Sequence, residues 1–278
     1  MFQKIALAIA FSPRMEALMC ETKRFARLFN AEVIFIHIGE RIEEEEIELN
    51  RIFEKNGFDL SKITVIWEDG NPSKKIISIC KRENVDLLVT GALKKETFFK
   101  YHFSSIARKM MRRSDVSLMV LIDPKINPKP FHNIVINGTD DPKTAEIIKK
   151  GIALANLEKA KLVHILNEIQ LLGLRMSMAG EDIASKVEDT RRRLIQDEVE
   201  KIENILSEID KEDLKINIKI VSGKPGYEIS RFTERAKADL LVLRAPNHKL
   251  SLFDRFFPHD LEFILNDLPT NLLILQAN

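Results

Sequence analysis

The residues of this 278-residue chain that could carry chemistry are six histidines, two cysteines and a few glycines and hydroxyls that follow apolar runs. His37, His102, His132, His164, His248 and His259 include no pair at i,i+4 spacing and none beside a cysteine, so they form no metal-ligand set. His37 closes an apolar run and reads as a satisfied structural histidine. Cys20 and Cys80 lack C-x-x-C spacing and are too few for a disulfide framework, which implies a reducing, cytoplasmic setting. No G-x-S-x-G elbow, Walker A sequence or H-E-x-x-H is present. Lys74-Lys75 after Gly70, and Lys224 after Gly223, lack the glycine spacing of a phosphate loop. Gly91, at the end of Asp86-Leu87-Leu88-Val89-Thr90, reads as a turn glycine after a strand.

Composition narrows the field. Hydrophobic residues are 45% and charged residues 31%, enough for a packed core, and Lys+Arg 43 against Asp+Glu 42 gives a net charge of +1. That balance disfavours a protein built to bind nucleic acid or an anionic membrane. The basic clusters Arg108-Lys109…Arg112-Arg113 and Arg191-Arg192-Arg193 read as solvated helix faces, which leaves nucleic-acid binding as a third reading. The early apolar run Ile5–Phe11 is closed by Ser12-Pro13 and is far short of the ~20 residues of a spanning helix.

The most informative feature is a repeat. Asp69-Gly70-Asn71-Pro72 through Asp86-Leu87-Leu88-Val89-Thr90-Gly91-Ala92 reappears as Ser222-Gly223-Lys224-Pro225 through Asp239-Leu240-Leu241-Val242-Leu243-Arg244-Ala245, a shift of 153. The openings match at a shift of 129, Ile5-Ala6-Leu7 with Ile134-Val135-Ile136, Pro13 with Pro142 and Ala31 with Ala160. The second copy therefore carries an insertion of 24 residues, placed at about 168–215. In the first copy, apolar runs predict strands near Lys4–Ala10, Glu32–Ile38, Ile63–Trp67, Asp86–Thr90 and Leu118–Ile122. Helical spacing predicts Met15–Phe29, Glu43–Lys55, Ser73–Glu83 and Ser104–Arg113 between them. Alternation at this spacing implies right-handed βαβ crossovers and an α/β fold of two tandem, doubly wound, parallel five-stranded sheets. The expected domains are 1–124 and 131–278, joined by a proline-rich linker at 125–130. Each copy ends in an unbroken apolar run, Leu118–Ile122 and Leu272–Leu275, which would be a hazard as an exposed edge. These two strands are predicted to meet across a pseudo-two-fold axis. Within the insertion, Ile195, Val199, Ile202, Leu206 and Ile209 form a heptad-like stripe on a helix from about Glu181 to Ile209. The stripe packs on the sheet or docks a partner, and the apolar residues 171–180 before it form a contact loop or core packing.

The ordered set of Ile5–Phe11 with Ser12-Pro13, Ala31–Ile38, Gly70-Asn71-Pro72, Asp86–Ala92 and Val116–Leu121, seen twice over, resembles the universal stress protein family. The resemblance implies an adenine nucleotide α-hydrolase-like fold in a tandem member packed as an intramolecular pseudo-dimer. It also implies a nucleotide loop, Gly-x2-Gly-x9-Gly-Ser/Thr, after the fourth strand. In the first copy that register falls on Gly91, Lys94, Ser104 and Ser105, so two of the three glycines are replaced. The family's acidic residue at the end of the first strand falls on Ala10, and Ile38 closes the second strand beside it. In the second copy the loop positions are Arg244, Asn247, Phe257 and Pro258, with Thr139 and Asp140 at the strand end. Hydrogen bonds to a charged group are worth about 1.5–3 kcal/mol each, so losing two costs about a hundredfold or more in affinity. Lys94 or Lys95 could offset part of this as a point charge.

Aromatic residues stand where the phosphate loop would run, among them Phe99 and Phe103 in the first copy and Phe253 and Phe257 in the second. They fill the vacated cavity or the domain interface, or they line a ligand or partner contact. The expectation is a non-enzymatic stress-response or regulatory binding protein with degenerate nucleotide loops, no catalytic residue and no metal. It would act through an unidentified protein partner or small ligand, with homodimerisation of the pseudo-dimer as a further option and no membrane partner. The alternative is an ATP- or AMP-binding member, with Mg and slow hydrolysis, using Ala10, Ile38, Gly91, Lys94, Ser104 and Ser105 of the first copy.

Overall fold

Alternation within the strands sets the layers. In the computed structural model, β1 (Lys4–Ile9) sends Ile5, Leu7 and Ile9 to one face and Ala6 and Ala8 to the other. Residues 1–94, 101–102, 107–109, 116–138, 143–169, 183–223, 226–245 and 259–276 are described. The first half continues with α1 (Met15–Phe29), β2 (Glu32–Ile38), α2 (Glu43–Lys55), β3 (Ile63–Glu68) and α3 (Pro72–Arg82). It closes with β4 (Leu87–Gly91), the two-residue strands β5 (Leu93–Lys94) and β6 (Tyr101–His102), and β7 (Ser117–Leu121). The second half is β8 (Asn133–Asn137), α4 (Thr144–Leu157), β9 (Leu162–Ile169), α5 (Ile183–Ser207) and β10 (Lys215–Ser222). It ends with α6 (Tyr227–Arg235), β11 (Leu240–Arg244), α7 (His259–Asn266) and β12 (Asn271–Leu275).

Ten of the twelve described strands form one sheet, β10-β9-β8-β11-β12-β7-β4-β1-β2-β3, parallel everywhere except between β12 and β7. The two sheets expected from the sequence are thus the halves of one, joined where the two apolar closing strands were expected to meet. Leu272 pairs with Val120, Leu273 with Met119 and Ile274 with Leu118, all buried. Polar side chains complete the seam at its ends: the Ile122 N–H donates to Asn271 Oδ1 (3.0 Å) and the Gln276 N–H to Ser117 Oγ (3.2 Å). Helices α1, α2, α4 and α5 pack on one face, and α3, α6 and α7 on the other. Because the central pair is antiparallel while both halves keep equivalent helices on the same face, the pseudo-two-fold runs perpendicular to the sheet. The carboxyl ends of the parallel strands therefore lie at opposite edges in the two halves.

The repeat is also legible in its fastenings. The Asp86 carboxylate accepts from the N–H groups of Gln3 (2.7 Å) and Lys4 (2.9 Å), which lead into β1. The Asp239 carboxylate does the same for His132 and Asn133 at 2.8 Å. Asn30 and Lys159 after α1 and α4, and Asn84 and Lys237 after α3 and α6, all hold a left-handed φ of 51–54°. Gly70-Asn71-Pro72 is a helix start: Gly70 has φ 127°, Asn71 caps the Lys74 N–H, and Pro72 opens α3. About half of the second copy's extra length goes into α5, which has 25 residues where α2 has 13, so the insertion in part lengthens an existing element. Ile202 and Leu206 of its stripe are in the core and Ile209 packs against it, so this part of the stripe faces the sheet. Residues 171–180 lie outside the described residues.

A buried ion pair ties the halves on the α1/α4 face. Arg24 Nη1 donates to both oxygens of Glu158 at 2.8 and 2.7 Å, with the Glu158 side chain fully buried. The guanidinium also lies over Phe25 and Phe131. Glu158 accepts the Phe131 N–H, and Glu21, beside Arg24, accepts the Lys125 N–H, so both ends of the linker are held by carboxylates around one guanidinium. Burial pushes the Glu21 carboxyl above its ordinary range, against the pull of Arg24. Removing one partner of such a pair strands the other charge. Arg24→Ala is expected to cost about 3–5 kcal/mol in chemical denaturation, and the double replacement Arg24→Met with Glu158→Leu to recover most of it.

Candidate functional site

In a doubly wound sheet the binding crevice lies at the carboxyl ends of the strands, where the strand order reverses. In the first half that point is between β1 and β4. Ala10, just past β1, is exposed there, and Ile38, the last residue of β2, is half-buried on the α3 face. Gly91 ends β4 in register with Leu121, so it is a strand residue and not a turn glycine. A Cβ on it would lie 3.2 Å from Leu18 Cδ1, so its missing side chain makes room for α1. The next N–H, of Ala92, donates to Leu121 O at 2.9 Å.

The loop that follows is paired with itself. Lys94 faces Tyr101 and Leu93 faces His102 in the antiparallel hairpin β5–β6, which lies against α7 of the second half. A two-residue strand has no periodicity to read, which is why the sequence did not announce it. Ser104, Ser105, Phe99, Phe103, Phe253 and Phe257 lie outside the described residues, as do Thr139, Asp140, Asn247 and Pro258. The structure thus brings Ala10, Ile38, Gly91 and the Lys94 backbone to one edge of the sheet. Arg244, at the position of Gly91 in the second copy, ends β11 opposite Leu275 at the other edge.

Arg108 is half-buried and its Nη2 donates to Asn266 Oδ1 (3.0 Å) at the end of α7, joining the halves, while Lys109 beside it is exposed, as on a solvated face. His37 is only partly satisfied: Nε2 is 3.7 Å from Glu45 Oε2, while the buried Nδ1 has no hydrogen-bond partner among the described residues. Its ring packs 5.2 Å from Phe11 and 4.7 Å from Trp67, and Gly39 is close enough that a Cβ would meet Nε2 at 2.7 Å. Among the described residues no group of three or more His, Cys, Asp or Glu is placed to hold a metal.

Sequence reasoning passed over Arg14, an ordinary arginine at the start of a helix. Its guanidinium crosses the ends of β4 and β7, donating to Ala92 O and Ile122 O at 2.7 Å each and to Leu121 O at 3.4 Å. No local pattern encodes a bond to carbonyls so distant in the chain.

Residues 1–121 match the universal stress protein family. This first repeat is a universal stress protein domain. The whole chain superposes on a candidate universal stress protein from Pseudomonas aeruginosa UCBPP-PA14 with a TM-score of 0.72 and 16% identity, covering 99% of this chain and 93% of that one. A universal stress protein from Archaeoglobus fulgidus DSM 4304 gives a TM-score of 0.63 and 15% identity, with 99% and 98% covered. At such identities the likeness carries the fold alone. No curated protein matches the sequence. No helix among the described residues is long and apolar enough to cross a membrane.

Arg14 gives the site its test. Replacing it with Ala removes charge-assisted bonds to the ends of two strands, and chemical denaturation is expected to show a loss of about 1.5–3 kcal/mol. Gly91→Ala needs Leu18 to give by only a few tenths of an ångström and is expected to cost less than Arg14→Ala.

Proposed function

We propose that this chain is a non-enzymatic, tandem universal-stress-type regulatory protein that works in the cytoplasm through a protein partner or a small ligand. In this reading its nucleotide loops are degenerate. The observation that carries it is the hairpin after Gly91. Where a phosphate loop needs a glycine-rich backbone free to wrap an anion, Lys94 is committed to pairing with Tyr101. Ala10 adds to it, because an exposed methyl stands where the family places an acidic residue. Both cysteines are free and buried, and burial pushes the Cys80 thiol up to about 12, which fits a reducing compartment and a thiol without a chemical role. One feature favours the other reading, in which the first repeat binds ATP or AMP with Mg. The rim of its crevice carries the small side chains of Ala8 and Ala10, which leave room for a ligand.

Calorimetric titration of Mg–ATP into the full chain separates the two. The regulatory reading expects no saturable heat up to millimolar ATP. It also expects a gain of at least about tenfold in affinity when Ala10→Asp, Lys94→Gly and Ser104→Gly are combined, since about 1.4 kcal/mol suffices for a decade. Micromolar binding by the unaltered chain at a stoichiometry near one, with turnover that Ser105→Ala abolishes, would overturn it.

A further inference from the structure

A polar pair between the second strand and the helix after it recurs in both repeats. At the shift of 153, Leu49, Phe53 and Ile63 correspond to Ile202, Leu206 and Ile216, which brings Glu45 of α2 onto Glu198 of α5. Val33 pairs with Ile5 and Val163 with Ile134, so His37, four residues beyond Val33, corresponds to Asn167, four beyond Val163. In the second repeat the pair is closed, with Asn167 Nδ2 donating to Glu198 Oε2 at 2.5 Å. In the first it stands open. His37 Nε2 is 3.7 Å from Glu45 Oε2, and that oxygen is buried with no hydrogen-bond partner among the described residues.

The closed tie uses an amide, which keeps its charge state near neutral pH, whereas a histidine changes charge between about pH 5 and 8. The open pair has room to close. Gly39 has no side chain where a Cβ would lie 2.7 Å from Nε2, and a charge-assisted bond needs an approach of only about 1 Å. Phe11, after β1, and Trp67 of β3 present only rings to the imidazole. Other charged groups nearby are turned elsewhere: Arg14 to the ends of β4 and β7, Glu46 to Arg41, and Glu68 to Lys75 and Arg82. Glu40, Glu43 and Glu44 are exposed, which leaves Glu45 as the carboxylate that faces the ring. We propose that His37 and Glu45 form a proton-operated latch, in which protonation of the imidazole draws the first turn of α2 and the loop 39–42 onto the end of β2. Ile38, at the rim of the first crevice, adjoins this loop, so latch and crevice share the end of one strand. The equivalent tie in the second repeat is permanent.

Trp67, the single tryptophan of the chain, reports on the imidazole, because the rings are 4.7 Å apart and a charge arising there perturbs the indole. Its emission in the full chain should show one transition between about pH 5 and 8. His37→Asn, which installs the residue of the second repeat, should abolish that transition. Glu45→Gln should move it to lower pH by about half a unit or more, and His132→Asn, at an exposed histidine, should leave it unchanged. A nitroxide attached at Ile42→Cys, an exposed position in a chain whose own cysteines are both buried, should lose mobility on the acid side of the same transition. The proposal is overturned by emission that stays flat across this range, or by a transition that survives His37→Asn, keeps its midpoint in Glu45→Gln or disappears in His132→Asn. A label whose mobility does not follow the transition overturns it equally.

Discussion

The antiparallel pairing of β7 with β12 is the constraint on which the rest of the molecule depends. Leu118–Leu121 and Leu272–Leu275 are almost entirely buried, and a strand of that composition left at an edge would expose both apolar side chains and unpaired backbone groups. Each closing strand is the solution to the other's edge. Ser117 and Asn271 extend the hydrogen bonding past the ends of the pair, so the seam does not fray where the ladder stops. Once this seam is made, the perpendicular pseudo-two-fold follows, and with it the contacts between Arg24 and Glu158 on one face and Arg108 and α7 on the other. The two candidate crevices are consequently placed at opposite edges of the sheet, where neither can complete the other.

The two copies agree where backbone groups must be satisfied and differ where a ligand would sit. Asp86 and Asp239 each hold two N–H groups at the entry to a first strand. The left-handed residues after four helices recur in register even though two are lysines, which gain nothing from that conformation. At the carboxyl ends the agreement stops, with Gly91 in one copy and Arg244 in the other. The fold is thus maintained by main-chain hydrogen bonding and apolar layers that do not depend on what the crevices hold.

Much of this was legible in the sequence, and the boundary of legibility has a physical cause. Met15–Phe29 and Glu43–Lys55 are helices over the spans their apolar periodicity suggests, because amphipathic spacing is a local property. The seam was legible because two unbroken apolar runs with nothing else to cover them have few other solutions. The phase of Gly91 was not. Whether a glycine at a strand end faces a ligand or a helix depends on which side of the sheet the odd residues take, and Leu18 decides it. Nor were the ties of Arg14 and of Arg24 to Glu158, which join residues far apart through single polar contacts that leave no pattern. The hairpin β5–β6 stayed hidden for the opposite reason, being too short for any period to show.

Native-state hydrogen exchange on the amides of Leu118–Leu121 and Leu272–Leu275 tests the central claim most directly. If the seam holds the two halves as one cooperative unit, these amides exchange only through global unfolding and share the highest free energy of opening in the molecule. Exchange from the two strands at distinct, sub-global free energies, with one half opening while the other stays protected, would contradict the account.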